Sequence, residues 1–249
     1  MKLVVGVDET PESAAAVTWA AALAGASAST VTIAEVFEPE EAERPPEHAA
    51  ELRREAGHRL TSWVERLGLG LPHCAALALE GRPVGSLAAL ADRSGADALI
   101  IGSKPYEGVS RWALGSLAHA LVHHVHCPLI VVPNAGADLT GGQLLVCDDD
   151  TEGGRVAVQW ARNLGGQVGA EVEVVRPDGR DPARQLRALA WETSAGLLVV
   201  PARSHHSFDG WLVGALPDAL LHHPTCPVAV LPYGYLTRSR DLLRSGSRP

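Results

Sequence analysis

The run Trp112–Pro133 (WALGSLAHALVHHVHCPLIVVP) returns 99 residues later as Trp211–Pro232 (WLVGALPDALLHHPTCPVAVLP), identical at 11 of 22 positions. Self-similarity of that density divides a chain before any element is assigned. It reads as a tandem duplication. Upstream, Lys2–Thr10 (KLVVGVDET) matches Gln143–Thr151 (QLLVCDDDT) at a shift of 141, which sets Asp8 over Asp149 and Trp19 over Trp160. Arg82–Gly102 then matches Asp181–Pro201 at the shift of 99, so the second copy lacks 42 residues opposite about Phe37–Glu80. The expected division is residues 1–134, residues 141–233 and a basic tail over 234–249, expected to be mobile or to lie on the surface.

Charge and cysteine usage narrow the function classes. A formal net charge of −8 argues against nucleic acid as the main partner, because neutralising phosphates needs a basic face. No apolar run approaches the ~18 residues that span a bilayer. The N-terminal MKLVVGVDET meets an acid at Asp8 before a signal-peptide core forms, so a cytoplasmic protein is expected. Cys74, Cys127, Cys147 and Cys226 lie in or beside apolar runs without a C-x-x-C pair, the pattern of reduced core thiols.

Strand and helix signals alternate five times in the first half. Leu3–Val7, Val31–Phe37, His73–Leu79, Ala98–Ile101 and Pro128–Val132 read as strands. Thr10-Pro11 reads as an N-cap and first-turn proline, opening a helix that buries Ala14, Val17, Ala21 and Ala24. Polar residues over Ala49–Leu67 form a second helix, Pro83 opens a third, and a fourth buries Leu114, Leu117 and Leu121. Such alternation predicts an α/β fold with parallel sheets and right-handed crossovers. The 42-residue deletion removes one helix and one strand from the second half, leaving a four-stranded sheet.

The first half's fourth strand ends in Gly102-Ser-Lys-Pro-Tyr-Glu-Gly-Val-Ser-Arg-Trp-Ala-Leu-Gly115-Ser116. Glycine at that end permits close approach to a ligand. Gly115 and Ser116 open the next helix, where free N–H groups and the positive dipole end suit phosphate oxygens. Asp8, closing the first strand, is expected to face the same crevice.

Gly102-x2-Pro105-x9-Gly115-Ser116 resembles the universal stress protein motif G-x2-G-x9-G-[ST] at every position but one, and VGVD near the N-terminus and HHVHCPLIVVP are similar to that family as well. The resemblance covers both halves to about Pro232. It implies two tandem Rossmann-like domains of the adenine nucleotide alpha hydrolase type, with strand order 3-2-1-4-5 in the first. It also implies a crevice for ATP with Mg2+: adenine beside Asp8 and Val36, phosphates against Gly102, Lys104, Gly115 and Ser116. The last strands of two domains pair across a twofold axis in that family; here Pro128–Val132 and Pro227–Leu231 are expected to pair within one chain as a pseudo-dimer, and a homodimer of the whole chain is also expected.

Pro105 departs from the motif. It removes one N–H and holds φ near about −65°; if that N–H serves a phosphate, the loss is ~1–3 kcal/mol, roughly ten- to hundredfold in affinity. Glu9 and Glu107 add negative charge nearby. In the second half, Pro201-Ala-Arg-Ser204 and Gly214-Ala215 keep one motif residue, and Asp148, Asp149 and Asp150 crowd the strand end as a solvated loop, so no nucleotide is expected there.

Other residues take structural readings. His123, His124, His126 and Cys127, like His222, His223 and Cys226, suggest zinc, but adjacent helical histidines diverge by about 100° and histidine suits a helix C-terminus. No metal site is expected. His205-His206 reads as solvent-exposed loop, and the matched pairs Trp19/Trp160 and Trp112/Trp211 read as packing. No G-x-S-x-G elbow, P-loop or general-base constellation is present, so no catalytic residue is assigned. The leading reading is a stress-response protein that binds a nucleotide and signals without turnover. A nucleotide-free interaction module comes next and a weak ATP hydrolase third.

Overall fold

The computed structural model describes residues 1–37, 46–66, 74–103, 116–134, 139, 142–177, 181–202, 205–207, 210–212, 215–222 and 224–237. In the first half the elements run β1 (Lys2–Val7), α1 (Pro11–Ser27), β2 (Thr30–Phe37), α2 (Pro46–Arg66), β3 (Cys74–Glu80), α3 (Pro83–Ser94), β4 (Ala98–Gly102), α4 (Ser116–His124) and β5 (Leu129–Val132). The second half runs β6 (Gln143–Cys147), α5 (Glu152–Val168), β7 (Glu171–Val175), α6 (Pro182–Glu192), β8 (Leu197–Pro201), β9 (His205–Ser207), β10 (Gly210–Leu212), α7 (Ala215–His222) and β11 (Val228–Leu231).

Among the described residues one sheet of nine strands spans both halves, in the order β3-β2-β1-β4-β5-β11-β8-β6-β7. The first five positions are the expected 3-2-1-4-5. The last four are the four strands expected of the second half. The halves meet where β5 and β11 pair antiparallel, Leu129 opposite Val230 and Val131 opposite Val228, as expected for the intramolecular pseudo-dimer. That pairing covers two edges that would otherwise present unpaired backbone groups. The outer edges are β3 and β7.

Both faces of the sheet are apolar because helices cover both. Leu3, Val5 and Val7 alternate with Val4 along β1: the odd set lies in the layer under α1, and Val4 lies in the opposite layer with Leu87 of α3. The stripe on α1 is Ser13, Ala16, Val17, Trp19, Ala20, Leu23 and Ala24. Ala14 and Ala21, expected inside, are only half-buried, because the stripe turned to the sheet is centred on Ala16, Ala20 and Leu23. Leu114 of the expected α4 stripe lies outside the described residues, while Leu121 is fully buried and Leu117 partly so.

Related positions meet at the junction of the halves. His119 in α4 and Asp218 in α7, equivalent under the 99-residue shift, stand 3.5 Å apart (Nδ1 to Oδ1). Two like elements facing each other across a twofold axis bring equivalent residues together, and here they carry complementary chemistry. Two differences from the sequence reading concern the C-terminal third. His205 and His206, read as solvent-exposed loop, lie in a small antiparallel ladder that pairs His205–Ser207 with Gly210–Leu212. Of the segment from Tyr233, expected to be mobile or on the surface, residues 233–237 make a helical turn that buries Leu236 to 6 % exposure in the apolar layer shared with α5, and residues 238–249 lie outside the described residues.

Candidate functional site

Strand β1 has β2 on one side and β4 on the other, so successive crossovers leave it in opposite directions. This is the switch point of an open parallel sheet, and the carboxyl ends of β1 and β4 frame a crevice there. Asp8 follows β1 directly. Its Oδ1 accepts hydrogen bonds from Thr10 N (3.0 Å) and Ser13 Oγ (2.7 Å) and from the Thr10 hydroxyl, while Ser13 Oγ accepts from Asp8 N at 2.9 Å. Thr10 in turn caps α1 through Ser13 N. An exposed carboxylate thus organises the first turn of a helix, with its amides gathered at the lip of the sheet.

The second half repeats this turn: Asp149 Oδ1 accepts from Thr151 N (3.1 Å) and the Thr151 hydroxyl, and Gly154 N donates to Thr151 Oγ1. A device kept in both halves serves the helix start whatever else it does. The three aspartates have separate tasks. Asp149 anchors Thr151, the cap of α5, and Asp150 adopts a left-handed φ of 59°. Asp148 is buried rather than solvated, its Oδ2 accepting from Arg176 Nη2 at 2.9 Å and Nε at 3.1 Å. The guanidinium supplies what a buried carboxylate needs, and the pairing holds Arg176 above its usual range.

Gly102 ends β4 against the first turn of α1. A Cβ there would lie 2.5 Å from the Glu12 carbonyl carbon and 2.6 Å from its oxygen. The absent side chain is therefore required by the approach of α1, whatever approaches from solvent. In the second half the large and small partners are exchanged: Pro201 ends β8, and Gly153 stands where Glu12 does. Gly153 has Pro201 Cβ 3.5 Å and Leu236 Cδ1 3.2 Å from where its own Cβ would be. Pro201 and the buried Leu236 thus occupy the lip that the first half leaves to Gly102.

Val36 lies on β2 and packs its side chain against the layer of Val4, Leu87 and Leu121. Ser116 is the first residue of α4. The structure brings Asp8, Val36, Gly102 and the start of α4 to the carboxyl end of one sheet. Lys104, Pro105, Glu107 and Gly115 lie outside the described residues, as does the Ser116 side chain.

Sequence reasoning missed Arg59. From α2 its Nε donates to the buried Glu35 at 2.8 Å and lies 3.3 Å from Glu9. The hydrogen bond to Glu35 is the main reason its basicity is raised. Glu9, read as unhelpful charge beside an anion, thus has a guanidinium against it. The signal was an acid inside the apolar strand TVTIAEVF, which requires a cation from another element. Helix-capping by histidine is realised at His124, whose Nδ1 is 2.7 Å from Ala120 O; His126 instead pairs with Asp92 at 3.1 Å. Among the described residues no group of three or more His, Cys, Asp or Glu is placed to hold a metal ion. Nor is any helix among them long and apolar enough to cross a membrane.

A nine-stranded α/β sheet with switch-point crevices defines the class. The model of the universal stress protein family matches residues 1–133 and 175–232, well over half of the chain, and the chain belongs to that family. A universal stress protein of Methanocaldococcus jannaschii is 35 % identical over 54 residues, 22 % of this chain and 32 % of the relative, so the match spans about a third of that protein. Among solved structures, a universal stress protein of Archaeoglobus fulgidus DSM 4304 is similar over 93 % of this chain and 98 % of its own, with a TM-score of 0.74 at 14 % identity. A functionally unknown Pseudomonas aeruginosa PAO1 protein is similar over 98 % of this chain and 97 % of its own, with a TM-score of 0.59 at 15 % identity. At such identities the likeness is one of fold.

Proposed function

We propose that this chain is a tandem universal stress protein whose first half binds ATP with Mg2+ between the ends of β1 and β4 and signals without turnover. The second half serves as its scaffold partner. The observation that carries this reading is the contrast between the two lips: Asp8, Gly102 and the start of α4 frame the first, whereas Pro201 and Leu236 fill the second. Asp8 and Val36 border the adenine, and Gly102, Lys104, Gly115 and Ser116 the phosphates; Mg2+ arrives with the triphosphate. Arg59 offsets Glu9 and Glu35 beside that anion. Free cysteines, three of them buried, fit the reducing cytoplasm, where the reading places the protein.

Equilibrium dialysis of ligand-stripped protein against labelled ATP and Mg2+ tests the proposal. Wild type is expected to bind one ATP per chain, and Pro105→Gly to bind it about ten- to hundredfold more tightly by restoring an amide donor. Absence of binding by both proteins would overturn it. A second reading, an interaction module without nucleotide, draws on the contacts of Asp8 and Gly102, which the start of α1 explains without a ligand. It predicts that neither protein binds.

A further inference from the structure

The deletion in the second half leaves a surface that its counterpart covers. Strand pairs β1–β2 and β6–β7 share one register, Lys2 opposite Thr30 and Gln143 opposite Glu171, so Ile33 and Val174 occupy equivalent places, as do Glu35 and Arg176. In the first half α2 packs over β2 and β3, Ile33 is fully buried in the layer that includes Leu60, and Glu35 receives Arg59. In the second half no element between β7 and α6 does this among the described residues. Val174 is 37 % exposed. A groove of about 660 Å³ remains there, lined by Asp148, Arg155, Val158, Arg162, Val174 and Arg176.

The charges of this groove are reversed relative to the covered half. Where the first half has a strand acid and a covering-helix base, the second has a strand base, Arg176. Positions held by Ala14 and Ala21 on α1 carry Arg155 and Arg162 on α5, counted from the caps Thr10 and Thr151. Arg155 and Arg162 are exposed and make no ion pair among the described residues, whereas the carboxylate of Asp148 is already paired to Arg176. Arg176 is held by Asp148 and lies 3.6 Å from Asp150, so on a chain of net charge −8 the cationic character of this groove rests on Arg155 and Arg162, with Val158 and Val174 also lining it.

The geometry points to a docking groove, lined by Arg155, Arg162, Arg176, Val158 and Val174, for an acidic, amphipathic segment of a partner protein lying where α2 lies in the first half. Arg155 and Arg162 are seven residues apart on α5, roughly 10 Å along its axis. That separation suits carboxylates spread along a peptide better than one compact anion. Between them Val158 and Val174 meet apolar side chains, and guanidinium forks match carboxylates in paired hydrogen bonds.

The test is selection from a random peptide display library on the immobilised full-length chain, counted against an Arg155→Gln/Arg162→Gln variant. Both side chains are exposed, so equal melting temperatures will show that the variant is folded. Recovered peptides are expected to carry two or more acids interspersed with apolar residues. Their anisotropy-measured affinity is expected to fall at least tenfold in the variant and to weaken with added NaCl. Peptides without an acidic excess, or binding the variant equally well, would overturn the proposal. So would displacement of the peptides by equimolar inorganic tripolyphosphate, which would assign the groove to a small anion. ATP binding at the first half is read separately by dialysis and is untouched by these outcomes.

Discussion

Replacing Gly102 with alanine separates two reasons for a glycine at the lip. The new Cβ would stand 2.5 Å and 2.6 Å from backbone atoms of Glu12 and 2.8 Å from its Cβ. Backbone cannot rotate away as a flexible side chain can, so β4 or the first turn of α1 must move. Forcing a methyl into a filled site costs typically ~1–3 kcal/mol. In a chain of 249 residues that lowers the melting temperature by roughly 2–12 °C. Gly153→Ala is the control. Its Cβ would meet the end of the Leu236 side chain at 3.2 Å, which can yield, and alanine is favoured over glycine within a helix by ~1 kcal/mol. It is expected to be neutral or slightly stabilising. Differential scanning calorimetry of the two ligand-free variants decides the matter. A Gly102→Ala protein melting within 1 °C (about 0.3 kcal/mol) of wild type would refute the packing argument.

Arg59→Ala leaves Glu35 buried with its charge uncompensated. Breaking such a pair costs ~3–5 kcal/mol in a dry interior, reduced here to about 1–3 kcal/mol because the guanidinium is partly open to water. Urea unfolding should show that loss, and Glu35→Gln in the same background should recover part of it. Burial pushes the Cys127 and Cys226 thiols up to about 12, so at pH 8 they are expected to resist alkylation in the folded protein and to react once it is unfolded, as read by peptide mass mapping. Desolvation, with His119 and His124 nearby, lowers His123 below the ordinary imidazole value. The unfolded chain then takes up this proton first, so the contribution is fully present above about pH 6.5 and is lost as pH falls toward the folded value. His123→Gln should flatten the decline in urea midpoint between pH 7.5 and 5.5.

Elements were legible where local pattern is strong. Apolar runs such as Leu3–Val7 and cap pairs such as Thr10-Pro11 placed strands and helices within a residue or two, because both signals act over a single turn or pleat. The short ladder His205–Ser207 with Gly210–Leu212 was not legible, since three-residue strands carry too little alternation. The candidate site was half legible. Strand-end position picked out Asp8 and motif spacing Gly102, but not that Asp8 anchors Thr10, the cap of α1, or that Gly102 makes room for Glu12.

The sequence by itself carried the internal similarity between Trp112–Pro133 and Trp211–Pro232, the alternation of strand and helix, and the family. Each is written in the order and spacing of residues along the chain. Only the tertiary structure decided that Arg59 answers Glu35, that His119 meets Asp218, that Leu236 closes the second lip, and that three arginines line the surface left by the missing helix. These contacts join residues far apart in the chain. A side chain's partner depends on which elements the sheet order brings together, and no local window carries that information.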